Sequence, residues 1–208
     1  MAMISNLYKN AFEKHCFKLL VDAYQVVYVN KKYQTDWQEN DFSQTLECYI
    51  NENPYSLSVG ITCKTEQKLL SCTENLTKGF SDKLPRVDLV FFKVSKDKRF
   101  QYFMEAKILK EKDSKLKRAY ISEGMQRYIS KKYPIEERCM LGYLIKGNLD
   151  LTIVGINKLI IKDNKKEEIL KPVLNSFANF YYESEHTEIG VLKHIILDFT
   201  KNNRIDES

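Results

Sequence analysis

Glycine and proline are scarce in this chain, and so are the features that assign a protein to many common classes. Among 208 residues there are 7 glycines and 4 prolines, with no internal repeat and no low-complexity tract. We therefore expect one folded domain over residues 1–208 rather than modules joined by flexible linkers. The sequence also has no glycine-rich phosphate-binding loop, so it offers no anchor for nucleotide hydrolysis.

Cysteine pairs, metal-ligand spacings and long apolar runs are missing as well. The 5 cysteines form no Cys-x-x-Cys pair and the 3 histidines are scattered, which argues against a disulfide framework and structural zinc. No apolar run is long enough to span a membrane, and the N-terminus lacks a secretion signal's apolar stretch. We expect a cytoplasmic protein with no membrane partner. The formal net charge of +5 is compatible with a polyanionic partner.

Charged residues do occur inside two apolar runs, at residues 86–92 and 100–109. The first run contains Asp88, and the second contains Glu105 and Lys107. Both runs are typical of buried strands, where an unpaired charge costs several kcal/mol or more. The short polar segment 95–99 predicts an antiparallel hairpin that brings Asp88 alongside Glu105. Two carboxylates at that distance repel each other unless a divalent cation bridges them, and oxygen ligands favour Mg²⁺ or Mn²⁺.

The alternation of side chains along a strand adds a second expectation. Glu105 and Lys107 should lie on the face that Phe103 shares, and Met104 and Ala106 on the opposite face. A purely structural interpretation of the same residues is also open. In it, Asp88 caps or pairs at a strand edge, and Glu105 and Lys107 form a solvated ion pair on an exposed face.

Asp88, a spacer and then Glu105-Ala106-Lys107 resemble the PD-(D/E)xK nuclease superfamily, which includes many restriction endonucleases and phage-defence nucleases. The resemblance covers about residues 36–146 and implies an α/β fold with a restriction-endonuclease-like αβββαβ core, in which helices flank a central mixed sheet. It further implies that Asp88, Glu105 and the Ala106 carbonyl hold Mg²⁺, for which Mn²⁺ substitutes, and that Lys107 positions the attacking water. Val87 departs from the superfamily name, which has proline before the aspartate.

A glutamate on the helix that precedes these strands often belongs to the site in this superfamily. Residues 36–50 predict that helix, with an apolar stripe at helical spacing. The stripe consists of Phe42, Leu46, Tyr49 and Ile50. Glu39 falls within the stripe and Glu47 at its margin, so Glu39 is the preferred candidate. The alternative is that Glu39 is a first-turn acidic residue favoured by the helix dipole, with Asp41 or Ser43 as the cap.

A basic segment follows the second strand and leads into a helix predicted over about residues 116–132. Its cations would lie beside the site, where a DNA backbone would pass; a solvated lysine-rich loop is the alternative. The candidates are Lys110, Lys115, Lys117 and Arg118. In the helix, the resemblance implies that Gln126 orients the substrate or the catalytic glutamate, and Arg127 is a candidate for phosphate contact. Gly124 predicts close packing of the helix against the sheet.

The remaining segments predict a frame for this core. We expect an N-terminal helix over residues 5–31, a first strand over 54–63 with a return at 68–72, and a central strand over 138–146. The extension 147–200 begins with a helical stripe, followed by a predicted polar turn over residues 162–168 and a predicted helix from there to residue 177. The stripe consists of Leu149, Ile153, Ile156 and Ile160. Residues 191–199 fit a strand or a helix equally well.

Together these features predict a metal-dependent DNA endonuclease of the restriction or phage-defence type. Ser130 stands where the exonuclease branch of the superfamily carries a tyrosine, which argues against a processive exonuclease. Cleavage of both strands of a duplex would require a homodimer or the partner subunit of a defence system, because the chain contains one candidate site. A non-catalytic nucleic-acid-binding or scaffold subunit that retains the fold is the alternative, and a plain α/β interaction protein is a further one. Sequence specificity, DNA against RNA, and the biological trigger are open.

Overall fold

The computed structural model describes residues 2–69, 78–95, 98–130, 138–174 and 180–200. In these ranges the chain is an α/β protein with a seven-stranded mixed sheet flanked by helices. The helices are α1 (Ala2–Val29), α2 (Glu39–Glu52), α3 (Pro54–Val59), α4 (Phe80–Lys83), α5 (Ser114–Ala119), a π-helical turn (Tyr120–Met125), α6 (Gln126–Ile129), α7 (Leu149–Lys162) and a 3-10 turn (Lys166–Glu168). The strands are β1 (Thr62–Lys68), β2 (Arg86–Ser95), β3 (Lys98–Lys110), β4 (Arg138–Lys146), β5 (Lys171–Pro172), β6 (Tyr181–His186) and β7 (Gly190–Asp198).

The order of strands in the sheet is β1-β2-β3-β4-β7-β6-β5. The outer pairs are antiparallel, and the central pairs β3-β4 and β4-β7 are parallel. Parallel neighbours require a crossover. The segment from α5 to α6 joins β3 to β4, and the segment that begins with α7 leads on to the strands beyond β4. The apolar run of β4 agrees with this central position, because a strand covered on both faces needs apolar side chains on both.

Two apolar cores lie on the two faces of the sheet. Helices α1 and α2 cover the face that carries Met104 and Ala106. Leu46 of α2 and Tyr143 of β4 belong to the same core. The π-helical turn, α6 and α7 cover the face that carries Phe103. The alternation predicted along β3 is therefore confirmed.

The segment 54–63 was predicted to be the first strand, and that prediction is wrong. Residues Pro54–Val59 form α3, and β1 begins at Thr62. The helix begins because the side chain of Asn53 accepts a hydrogen bond from the backbone N–H of Tyr55, and proline suits the first helical position. It ends at Gly60, whose φ of 63° favours glycine. Residues 70–72 of the predicted return lie outside the described residues.

The C-terminal extension agrees with the prediction in part. The stripe of α7 is confirmed, since Ile153, Ile156 and Ile160 are buried. Residues 190–198 form strand β7, which decides between strand and helix. The predicted polar turn is confirmed, since α7 ends at Lys162 and Lys166–Glu168 is a 3-10 turn. The helix predicted after residue 168 is wrong where the structure describes it, because Lys171–Pro172 is a short strand; residues 175–177 lie outside the described part.

The helix after β3 contains a π-helical turn over Tyr120–Met125. Such turns are frequent at functional sites. A Cβ atom added to Gly124 would lie 2.4 Å from Cε of Met140 and 3.4 Å from Cγ of Lys107. The predicted close approach of this helix to the sheet is confirmed, and a larger residue at position 124 would have to displace the end of the Met140 side chain. Residues 131 and 132 of the predicted helix lie outside the described residues.

A chain of hydrogen bonds between polar side chains crosses the second core. The hydroxyl of Ser184 lies 2.7 Å from Nε2 of His186 and 2.8 Å from Nε2 of His194, and Nδ1 of His194 lies 2.9 Å from the hydroxyl of Tyr120. Burial, assisted by the neighbouring His186, lowers the pKa of His194 to about 3. The imidazole of His194 is therefore neutral, and the hydrogen bonds satisfy the polar atoms that would otherwise be costly to bury.

No helix in the described part of the chain has the length and apolar character that crossing a membrane requires.

Candidate active site

The charged residues gather where β2 and β3 separate, a place that we call the β2–β3 fork. The last pair of the two strands is Leu89 with Met104, so Asp88 and Glu105 stand one step beyond the paired region. From there the backbone N–H of Ala106 donates to the carboxylate of Asp88 at 2.6 Å.

The next N–H on that side of β3 belongs to Ile108, which donates to Glu39 at 3.4 Å. Backbone N–H groups two residues apart point to the same edge of a strand. The carboxylates of Asp88 and Glu39 therefore stand in for the acceptors that β2 supplies in the paired region. A divergent hairpin and an incoming helix thus place two carboxylates side by side.

Glu39 is the first residue of α2, where the helix dipole favours a negative charge. Gln38 is the N-cap that precedes the helix, and its backbone N–H donates to the carboxylate of Asp41 at 2.8 Å. Ser43 has a different role, because its hydroxyl lies 2.9 Å from that of Tyr143 in the first core. The other candidate, Glu47, accepts hydrogen bonds from the backbone N–H and hydroxyl of Thr65 at 2.8 and 2.6 Å. The structure therefore places Glu39, and not Glu47, beside the charged residues of β3.

Lys107 lies at the centre of the group. Its ammonium donates to Glu39 at 3.0 Å, to Glu105 at 3.0 Å and to the Ala106 carbonyl at 2.8 Å, which uses its three N–H bonds. Burial alone would lower the pKa of Lys107, but the carboxylates of Glu105, Glu39 and Asp88 outweigh that effect and raise it. The ammonium therefore stays charged in a fixed orientation.

Glu105 is fully buried, and cations hold it from two sides. Lys107 contacts one carboxylate oxygen, and the guanidinium of Arg127 lies 2.8 Å from the carboxylate. The Arg127 side chain is 33% exposed, so it connects the buried glutamate with the surface. Glu105 and Lys107 retain 0% and 6% of their accessible surface. This burial contradicts the structural interpretation that makes them a solvated surface pair.

Among the carboxylates at the β2–β3 fork, Asp88 is the one whose negative charge is least offset by neighbouring cations. Burial and the neighbouring charge of Glu105 raise its pKa to about 7, although Lys107 and the Ala106 N–H act in the opposite direction. Near neutral pH the carboxyl group is therefore close to half protonated. A cation close to Asp88 would favour the ionised form and so lower the pKa of this carboxyl group.

The structure brings together five of the residues that the sequence singled out: Glu39, Asp88, Glu105, Lys107 and Arg127. It does not bring Gln126 to Glu105. Gln126 is exposed on the surface, and its neighbour Arg127 makes that contact instead. Sequence reasoning missed this role, although Gly124 carried the signal. A glycine that faces the sheet predicts that residues three and four positions later face it too.

The basic candidates differ in their surroundings. Lys115 is exposed and Lys110 half-buried, so both can meet a phosphate. Lys117 is not available to a phosphate in this way, because its side chain is buried against Gly155 of α7. Its ammonium donates to the backbone carbonyl of Glu111 at 2.5 Å. Arg118 forms an ion pair with Asp163. The interpretation of this segment as a phosphate-binding surface therefore keeps Lys110 and Lys115, and the structure assigns Lys117 to packing.

The donor atoms at the fork suit a hard cation in their chemistry. The two carboxylates of Asp88 and Glu105 and the Ala106 carbonyl are oxygen ligands of the kind that Mg²⁺ and Mn²⁺ prefer. Over the ranges that the structure describes, no group of three histidine, cysteine, aspartate or glutamate side chains is arranged to hold a metal ion. An ion here would therefore take two carboxylates and a main-chain oxygen as protein ligands.

Comparison with known protein families, with curated proteins and with solved structures finds no match to this chain. The resemblance to PD-(D/E)xK nucleases rests on Asp88, the Glu105-Ala106-Lys107 triplet and the elements that carry them.

Ser184, His186 and Glu168 form a second polar cluster. Their contacts run from serine to histidine to carboxylate, as in a nucleophilic triad. A carboxylate oxygen of Glu168 lies 3.0 Å from Nδ1 of His186, whose Nε2 faces the Ser184 hydroxyl. The serine is 1% exposed, so a substrate has no access to its hydroxyl. The group is a polar link inside the second core and not a catalytic site.

Proposed function

We propose that this protein is a Mg²⁺-dependent nuclease that hydrolyses phosphodiester bonds in DNA. The observation that carries the proposal is the convergence of Asp88, Glu105 and Lys107 at the β2–β3 fork, with Glu39 reaching the same lysine from α2. Stability alone gives little reason to gather these charges, because replacing a buried ion pair by apolar side chains is often neutral or stabilising. A buried carboxylate with a raised pKa, such as Asp88, next to a fixed lysine is, in contrast, typical of catalytic sites.

The order of elements supports a restriction-endonuclease-like core. Helix α2, strands β1, β2 and β3, the segment α5–α6 and strand β4 occur in the αβββαβ order, with the short helices α3 and α4 before β1 and before β2. The three strands form an antiparallel meander, and β4 lies parallel to β3. The charged residues lie where the meander opens, which is the position that the resemblance implies for the catalytic group.

Asp88, Glu105 and the Ala106 carbonyl would hold the cation, which when bound polarises the scissile phosphate and lowers the pKa of a water molecule. With Glu105 and the Ala106 carbonyl bound to the cation, Lys107 would direct the N–H groups that they release towards the attacking water and stabilise the charge that grows on the phosphate. Glu39 holds Lys107 in this orientation, and Arg127 fixes the Glu105 carboxylate. The group contains three carboxylates and two side-chain cations, Lys107 and Arg127. A bound cation would offset the excess of acidic groups.

Conversion of supercoiled plasmid to nicked and linear forms, with Mg²⁺, Mn²⁺ or EDTA, tests the proposal. We expect cutting with either metal and none in EDTA. Glu105→Gln and Lys107→Ala should each lower the rate by at least about 100-fold, the usual scale for one electrostatic group at such a site. If the protein with Mg²⁺ leaves both plasmid and single-stranded DNA intact, or either variant cuts as fast as the parent, the proposed activity is wrong.

The Glu13–Lys193 ion pair offers matched controls, because it joins α1 to β7 with a distance of 2.6 Å. Glu13→Gln and Lys193→Ala remove the same chemical groups and should leave the cutting rate within about twofold, as mutations distant from a site usually do. Thermal melting of all four variants separates loss of chemistry from loss of folding.

A non-catalytic nucleic-acid-binding or scaffold subunit is the second candidate function. The observation that favours it is that Lys107 and Arg127 already hold the Glu105 carboxylate. Titration with Mn²⁺ distinguishes the two functions, because a nuclease that binds the ion should gain thermal stability as the concentration rises. A scaffold whose site is closed by its own cations should show no gain in thermal stability.

The nuclease would work as a homodimer or with a partner subunit if it cuts both strands of a duplex.

A further inference from the structure

A cleft of about 420 Å³ adjoins the β2–β3 fork. Its wall is formed by the segment that leads into α2, with Trp37 and Glu39, and by β3, with Ile108 and Lys110. Glu39 belongs to both places, because one of its oxygens accepts from Lys107 and the other from the backbone N–H of Ile108. The cleft therefore begins where the catalytic group ends.

The lining combines an aromatic ring, an apolar floor and a cation. Trp37 is partly exposed and is held by an edge-to-face contact with Phe42, with 5.4 Å between the ring centroids. Ile108 and Leu116 supply apolar surface, and Lys110 supplies positive charge. Aromatic and apolar surface suits the face of a nucleobase, and a lysine suits the phosphate attached to it.

The size and the charges narrow the class of ligand. Clefts of roughly 300–1,000 Å³ hold single small organic groups, so a volume of about 420 Å³ suits one nucleotide and not a base pair. Asp36 and Glu39 on the wall would repel a small free anion. A nucleotide with a neutral base inside the cleft and its phosphate towards Lys110 avoids that repulsion.

We propose that this cleft holds one unpaired nucleotide of the strand that is cut, so that the preferred substrate is single-stranded or frayed DNA. That the bound strand is the one that is cut rests on the proposed nuclease function, whereas binding to the cleft is measured without cutting. Trp37 stacks on the base, and Lys110 contacts the adjoining phosphate. The next phosphate along the strand then lies at the β2–β3 fork.

Trp37 is the single tryptophan of the chain, so the intrinsic fluorescence of the protein reports directly on the cleft. The experiment is a titration with oligothymidylate in EDTA, which leaves the strand intact, with a blunt DNA hairpin and oligouridylate as parallel arms. Fluorescence anisotropy of labelled strands measures affinity independently. We expect the oligothymidylate to quench the tryptophan and the blunt hairpin to leave its emission nearly unchanged; quenching by oligouridylate as well would extend the ligand class to RNA.

Three variants and one control complete the test. Trp37→Ala should weaken oligothymidylate binding by about 5- to 150-fold, the range for loss of one base–aromatic stack, while Trp37→Phe, which keeps a ring against Phe42, should stay within about threefold of the parent. Lys110→Gln should weaken binding and reduce its salt dependence, and Lys158→Gln, an exposed lysine of α7, should not.

Three results overturn the proposal: failure to bind oligothymidylate, unchanged emission at saturation, or equal affinity of Trp37→Ala and the parent. Each leaves the plasmid assay unaffected, so a nuclease without this nucleotide site is recognised by cutting without quenching. Quenching without cutting, in turn, identifies a nucleic-acid-binding cleft and contradicts the proposed activity alone.

Discussion

Replacing Asp88 by asparagine should stabilise the metal-free protein at alkaline pH. Asparagine keeps an oxygen that accepts the Ala106 N–H bond, which is 2.6 Å long, and it removes the charge that burial and Glu105 oppose. The pKa of Asp88 rises from 3.8 to about 7 on folding, which corresponds to about 4 kcal/mol at about 1.4 kcal/mol per tenfold change. In a chain of 208 residues this equals a rise in melting temperature of roughly 10 °C.

The sign of the effect depends on pH. Because the folded pKa lies above the unfolded one, the folded protein binds more protons between about pH 4 and pH 7, and its stability falls as the pH rises through that window. The advantage of Asp88→Asn should therefore be small near pH 4, grow through the window and be complete above pH 8.

Urea denaturation at several pH values, in EDTA, measures this dependence. Asp198→Asn is the matched control, since Asp198 is also buried but accepts two hydrogen bonds from Thr200, at 2.6 and 2.9 Å. Asparagine keeps the oxygen that accepts both of these bonds, so that variant should show no comparable gain in stability. A gain for Asp88→Asn that does not change with pH, or a loss of stability at pH 8, would refute the assignment of Asp88 as an uncompensated buried acid.

Two further outcomes are expected. Arg127→Gln leaves Glu105 with Lys107 as its cation, so the free energy of unfolding in urea should fall by about 1–3 kcal/mol and plasmid cutting should slow; unchanged values of both would show that the 2.8 Å contact has no energetic role. Ser184→Ala removes the hydroxyl between His186 and His194 and should lower the melting temperature by the equivalent of about 1–3 kcal/mol, without altering the cutting rate, which a catalytic serine would reduce greatly.

Local patterns predicted the elements that carry the charged residues. The hairpin of β2 and β3 was predictable because its connection is short and polar, and the alternation along β3 follows from the geometry of any strand. The position of α2 was predictable from the helical spacing of Phe42, Leu46 and Ile50.

Other features depend on tertiary contacts or on competing local signals. The helix α3 was missed although Asn53, Pro54 and Gly60 carry cap signals, because the apolar residues between them also fit a strand. Strand β6 contains the polar residues Ser184 and His186, which are buried because they find hydrogen-bond partners in the second core. The contact of Arg127 with Glu105 joins residues 22 positions apart, and no local pattern fixes such a distance.

The β2–β3 fork leaves a stretch of β3 that has side-chain carboxylates as hydrogen-bond acceptors where a neighbouring strand would normally lie. Asp88 and Glu39 thus shield backbone groups that could otherwise pair with another polypeptide. A double variant that truncates both carboxylates would leave these N–H groups of β3 without their acceptors. We expect such a variant to self-associate at high protein concentration. In this fold, the two carboxylates of the candidate site would thus also keep neighbouring molecules from adding a strand.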